Sequence, residues 1–218
     1  MKKLIVLSIC MLLCACSNAG DVNKQLDKVF ENEFIANNRA NNYTDYIEYY
    51  VPSDVYETDA DKISYVFNTD NCKFIMNVNI ANIVNKEYHQ GKQLTDDGFF
   101  DQSKLIYSKT GELKNLANET LTYLFEAFDY EEKYVICLVS DETKLYGTCD
   151  REKVGLLASK MMQVATNCDV KDDMVIADYS TKDVIDYEKS TVNLFEQSFP
   201  QEGRVEDMMI DTGKTVSE

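Results

Sequence analysis

Seven cysteines, one histidine and 38 acidic residues are the side chains here with chemistry beyond folding. Cys10, Cys14 and Cys16 fall close together; Cys72, Cys137, Cys149 and Cys168 are separated by 65, 12 and 19 positions. Zinc sites use closely spaced Cys and His pairs and redox motifs use Cys-x-x-Cys, and the four later cysteines match neither. His89, in "KEYHQG", has no serine or cysteine motif beside it and reads as a solvated loop histidine. The patterns GxSxG, HExxH and SxxK and the Gly-rich phosphate loops are absent. A Ser-His or Cys-His hydrolase would therefore rest on His89 alone.

Carboxylates are plentiful enough for a glycosidase-like pair, but nothing marks any two of them as paired or buried. "TDADK" (58–62) and "TDDGFFD" (95–101) cluster oxygens as calcium loops do. Neither reaches a glutamate at the twelfth loop position, so both read as solvated acidic turns. No metal and no cofactor is expected, and no residue is assigned a catalytic role. The tyrosines are more suggestive. Tyr43, Tyr46, Tyr49, Tyr50 and Tyr56 gather around Pro52. Rings with polar tips suit sugar stacking and protein interfaces, and these five are the candidate binding residues. They also suit ordinary sheet packing in a chain with 14 Tyr, 10 Phe and no Trp.

The first three cysteines belong to "MKKLIVLSICMLLCACSNAG". Lys2 and Lys3 precede the uncharged run "LIVLSICMLL", too short for the roughly 20 residues that span a bilayer. A small-residue boundary follows, which is the layout of a secretory signal peptide. "LCAC" resembles the lipobox of bacterial lipoproteins: aliphatic, tolerant, small, cysteine. Leu13, Ala15 and Cys16 match, and Cys14 holds the tolerant position. Framing the box on Cys14 would put Leu13 where a small residue belongs. The resemblance covers residues 1–16 and implies cleavage before Cys16, diacylation of its sulfur, and an anchor facing outside the cytoplasm. Each buried acyl methylene contributes about 0.8 kcal/mol, so two or three chains hold far better than one.

Export permits disulfides. Cys149 and Cys168 bracket an expected helix of roughly 16 residues, about 24 Å long, whereas a bridge needs Cα atoms within about 7 Å. Pairing 149–168 is thereby disfavoured. Four free thiols, or one or two bridges, remain open.

Losing Lys2 and Lys3 with the signal leaves 20 basic against 38 acidic residues, a net charge of −18. Such a body repels phosphate backbones and anionic headgroups, which excludes non-specific nucleic-acid binding. Its charge serves solubility or a cationic partner.

The elements that must position these residues follow from periodicity. Val22, Leu26, Val29 and Phe30, with Phe34 less regularly, stripe an amphipathic helix over 21–38. From 43 to 149 the rhythm is that of strands. "ISYVFN" and "KFIMNVNI" flank "TDNC" as a hairpin, the second alternating apolar with mostly polar residues as on a half-solvated sheet. "KLIYSKTGEL" ends at a Thr-Gly turn, and residues 121–149 form a three-stranded meander. Asp150 caps a helix over 151–166 with Val154, Leu157, Ala158, Met161, Val164 and Ala165 inward. "DMVIADYS" reads as a last strand. Ser180 and Thr181 cap a helix over 182–198 that Pro200 ends.

The expected fold class is α+β: one domain with an antiparallel sheet of about six or seven strands, an N-terminal helix and two C-terminal helices. The divisions are a signal peptide (1–15), a lipidated tether (16–20), the domain (21–200) and a partly ordered tail (201–218). The expected role is a binding or assembly module of the bacterial cell envelope, held to the membrane by lipid on Cys16, with a protein or glycan partner. The alternative is an envelope hydrolase with paired carboxylates acting on cell-wall or sugar substrates.

Overall fold

The computed structural model describes residues 22–87, 94, 98, 100–130 and 133–180. The segment carrying Cys16, the loop position of His89, residues 95–97, the expected helix over 182–198 and the 201–218 tail lie outside the described residues.

Helix α1 (Val22–Val29) leads into the short strands β1 (Phe34–Ile35), β2 (Asn42–Tyr43) and β3 (Ile47–Tyr49). Strands β4 (Tyr56–Ala60), β5 (Ser64–Thr69) and β6 (Cys72–Val78) follow, then helix α2 (Ile80–Glu87). Four longer strands come next: β7 (Leu105–Lys114), β8 (Thr120–Tyr130), β9 (Lys133–Ser140) and β10 (Thr143–Asp150). Helix α3 (Val154–Thr166), strand β11 (Cys168–Val170) and helix α4 (Asp172–Tyr179) complete the described chain.

The fold is α+β, with a sheet larger than expected. Eight strands run in the order β1-β7-β8-β9-β10-β6-β5-β4, and β11-β3-β2 form a separate three-stranded sheet. The main sheet is mixed rather than antiparallel, because β1 pairs parallel with β7 through Phe34 and Leu113. "YIEYYV" before the Pro52-Ser53-Asp54 turn reads as a strand and holds β3, whereas β1, β2 and β11, of two or three residues, are too short to show a period of two.

The β5–β6 hairpin turns at Asp70 and Asn71, with φ of 42° and 61°, the left-handed pair that a two-residue turn needs to match strand twist. The meander is also present, as β8, β9 and β10. Thr110-Gly111 is no turn. Strand β7 runs through it and reverses at Asn115–Asn118, where Asn118 has φ 62°. Gly111 faces Tyr123 across the ladder, and a Cβ there would lie 2.6 Å from the Tyr123 hydroxyl. The missing side chain makes room for a ring, and that ring stacks on Phe30, just past the end of α1, at 6.0 Å.

Both faces of the main sheet carry apolar side chains. One packs Tyr65, Phe67, Phe74, Met76, Phe125, Ile136 and Leu138 under α1 and α3. The other gathers Phe100, Phe128, Tyr130, Val135, Cys137, Val139 and Tyr146, with Leu94 and Leu105 against them. A half-solvated sheet is therefore corrected: Ile75 and Asn77, on the expected polar side of β6, are buried. Distant segments around Phe100 cover that side, and alternation within one strand carries no information about them.

Helix boundaries also move. Helix α1 occupies Val22–Val29, and the residues after it turn to place Phe34 in a strand against β7. Residues 80–87 are helical, not extended: Asn79 accepts from the Asn82 amide at 3.4 Å as an N-cap, and Ile80, Ile83 and Val84 form the stripe. Asp150 makes no side-chain capping bond, and a 3₁₀ turn at Arg151–Lys153 precedes α3. "DMVIADYS" is helix α4, whose Val175 alone is buried, with Asp172 and Asp173 favourably placed in its first turn. Among the described residues no helix is long and apolar enough to cross a membrane.

Gly111→Ala should push Tyr123 off its site and cost about 1–3 kcal/mol, the range for overpacking. Urea unfolding followed by circular dichroism reads this directly, and an unchanged midpoint would contradict the packing described.

Candidate functional site

The five tyrosines divide. Tyr46 and Tyr49 are core residues, 3% and 2% exposed. Tyr46 donates to Asp178 on α4 and Tyr49 donates to Glu57 at the start of β4. The bond to Asp178 raises the Tyr46 phenol well above its usual range, and burial, then the bond to Glu57, does the same for Tyr49. Tyr50 is half-buried, with its backbone N–H bonded to Asn167 O at 2.8 Å. Tyr43 and Tyr56 are each 65% exposed, and Tyr43 donates to Ala40 O. The recognition expected of all five thus narrows to the two exposed rings.

Tyr56 borders a cleft of about 340 Å³. Asn41, Asn42, Val51, Pro52, Ser53, Val55 and Glu57 line it together with Tyr56. Asn41 fixes the shape by gripping the backbone of Val51 twice, donating to its carbonyl at 2.9 Å and accepting from its amide at 2.8 Å. Glu57 is held from below by the buried Tyr49. Its lining therefore combines amides, a hydroxyl, one carboxylate and an aromatic ring with Pro52 and two valines, and holds no basic residue among the described residues. That inventory suits an uncharged or cationic polar ligand with an apolar face.

Strand β4 beside the cleft is the sheet edge, and all five of its residues are exposed. A register shift between Glu57 and Asp59 bulges it, and its acids discourage edge-to-edge pairing. The "TDADK" carboxylates serve local backbone: Asp59 accepts from the Ala60 amide and Asp61 from that of Lys62. Among the described residues no group of three His, Cys, Asp or Glu could hold a metal ion.

A buried acidic cluster lies elsewhere, with no signal for it in local residue order. Glu142, in the β9–β10 turn, is 5% exposed, and its Oε1 accepts from Asn115 Nδ2 at 3.0 Å. The same amide nitrogen reaches Asp169 Oδ1 at 3.5 Å. Burial first, then the charges of Asp172, Asp169 and Glu119, push the Glu142 carboxyl from 4.5 to about 8. Burial and the Glu119 charge raise Asp169 as well. These two acids converge, but neither lines the cleft. The turn itself is held by asparagines: Asn79 Nδ2 bonds Ser140 O at 2.8 Å and Asn82 Nδ2 bonds Asp141 O at 3.0 Å.

All four described cysteines are buried and unbridged. Comparison with protein-family models, with curated proteins and with solved structures finds no match.

Because the folded-state value of Glu142 lies above its ordinary one, the folded chain holds a proton that the unfolded chain releases. Its contribution is intact below about pH 4.5 and is lost as pH rises toward 8. Glu142→Gln keeps the Asn115 bond and removes the ionisation. The variant should be more stable than the parent by about 1–3 kcal/mol at pH 9, with the gap shrinking by pH 5. Denaturant titrations at both pH values measure this; a gap that widens toward acid would contradict the buried neutral carboxyl.

Proposed function

We propose that the chain is a lipoprotein of the bacterial cell envelope, held to the membrane by acylated Cys16, whose domain acts as a binding or assembly module. The anchor rests on the "LCAC" box and the charged and apolar segments before it. Six residue steps separate Cys16 from Val22, so the folded part begins within roughly 20 Å of the lipidated residue, whatever path the chain takes. The observation that carries the binding role is Tyr56. A ring two-thirds exposed, at the rim of a cleft lined by amides and a carboxylate, is a contact surface for a glycan or protein segment.

The hydrolase alternative has the weaker support. Glu142 and Asp169 have the raised carboxyl values a general acid needs, but Glu142 is almost fully buried in a structural turn and the cleft lies against other residues.

Two experiments test the reading. Cys16→Ala should abolish incorporation of labelled fatty acid and leave uncleaved precursor; normal processing would remove the anchor from the proposal. For binding, the anchored chain is used to retrieve companions from detergent-solubilised envelopes at low salt, beside Tyr56→Ala. That substitution should change stability by no more than about 0.5 kcal/mol, as for an exposed site. A companion recovered with the parent should fall at least tenfold with the variant. Recovery of nothing specific, or equal recovery with both, would sink the cleft as the contact surface.

A further inference from the structure

We propose that Cys72 and Cys149 are a cross-strand dithiol that closes to a disulfide joining β6 to β10. The antiparallel ladder between these strands pairs Gly147 with Phe74 and Thr148 with Lys73. The next step of the same register sets Cys149, within β10, opposite Cys72, the first residue of β6. Directly opposed residues point to the same face of a sheet, and both cysteines belong to the helix-side core. Opposed Cα atoms in an antiparallel pair lie about 4.5–5.5 Å apart, within the roughly 4.4–6.8 Å that a disulfide spans.

Both thiols are buried and unbridged, and Cys72 Sγ donates to Asp70 O at 3.8 Å. The other two cysteines face no cysteine in their ladders. Cys137 stands between Glu126 and Tyr146 on the opposite face, and Cys168 pairs with Tyr49 and donates to Ala165 O.

The pair is chemically unequal. The neighbouring Cys149 thiol, and more weakly the Lys153 charge, lower the Cys72 thiol against the effect of its burial. Cys149, beside Cys72 and itself buried, is raised. Lys153 is fixed nearby by its bond to Asp70 O at 2.6 Å and its ion pair with Asp70 at 3.3 Å. Cys72 is therefore the attacking sulfur. It sits one residue inside the exposed Asp70-Asn71 turn, at the end of the strand.

The oxidant is a low-molecular-weight or protein disulfide outside the cytoplasm, so formation in the cell rests on the exported reading above. The Cys72 thiolate attacks one sulfur of that disulfide, forms a mixed disulfide and releases one thiolate. Cys149 then loses its proton and attacks the Cys72 sulfur, releasing the second thiolate. Two thiols give up two electrons and two protons, and the external disulfide is reduced to two thiols.

The test uses the full chain purified in detergent, incubated with oxidised glutathione, alkylated with N-ethylmaleimide and digested with trypsin without reduction. The expected product is residues 63–73 linked to residues 145–151, about 2 Da lighter than the two free peptides combined. The thermal midpoint should rise by roughly 5–15 °C and fall back with dithiothreitol. Cys72→Ala and Cys149→Ala should each remove the rise, and Cys137→Ala should retain it. Absence of the linked peptide, or linkage through Cys137 or Cys168 instead, overturns the pair, and because that result comes from the parent chain it does not depend on a variant folding. A second arm quenches intact cells in acid before alkylation. A bridge that forms on the purified chain but is missing in cells would sustain the pair and count against export.

Discussion

Helix α3 lies across the main sheet and buries eight of its thirteen residues. It packs on β9, β10, β1 and α1, so one apolar surface joins the N-terminal helix, the meander and the strand edge at β1. Its approach is set at Gly147 in β10, where a Cβ would meet Phe74 at 2.9 Å and Leu157 of the helix at 3.2 Å. Each fully buried aliphatic side chain contributes on the order of 1.5–3 kcal/mol, so this helix supplies much of what holds the layers together. What surrounds it is positioned by it. Asn167, at its C-terminal end, accepts from the backbone amides of Asn37 and Asn38, and its carbonyl accepts from that of Tyr50. The cleft beside Tyr56 is built on segments whose course this helix end decides.

Asparagine gives the chain its second organising device. A short side chain with both donor and acceptor can replace backbone partners where a chain leaves a helix or strand. Asn79 and Asn82 hold the β9–β10 turn from α2, Asn115 holds Glu142 and the Glu119 amide, and Asn41 holds Val51. These residues looked like a compositional bias in the sequence. They are joints between elements distant along the chain, and their partners could not be read from local order.

The same distinction separates what was legible from what was not. The stripe Val154, Leu157, Ala158, Met161, Val164 and Ala165 was visible because a helix writes its burial into its own spacing, and all six are buried. The β5–β6 hairpin was visible because Asp-Asn is turn chemistry. Helix α4 was misread as a strand because "MVIA" is apolar throughout, and such a run fits either period. The helix at 80–87 did leave a trace, in the Asn79 cap and the spacing of Ile80, Ile83 and Val84, which the preceding alternation obscured. At the site, the sequence marked a tyrosine group but not its division. Whether a ring is core or surface depends on packing partners outside the group: Tyr49 packs on Tyr65 and Phe67 of β5, while Tyr56 on the edge strand stays bare.

Charge decides how such a domain would work at a membrane. On the proposed anchoring, a body of −18 sits within roughly 20 Å of a surface that is itself commonly anionic. Screening at physiological salt limits the repulsion to about 8 Å, enough to prevent the domain from lying flat without straining the tether. Helix α1, the first described element after the tether, agrees with this: Leu26 is fully buried, and Val22 and Val29 pack partly buried against the core. The domain then projects from the lipid it is fastened to, and recognition falls to its outward groups. Among the described residues, Tyr56 is an exposed large hydrophobic that lines a cleft also offering amides and a carboxylate.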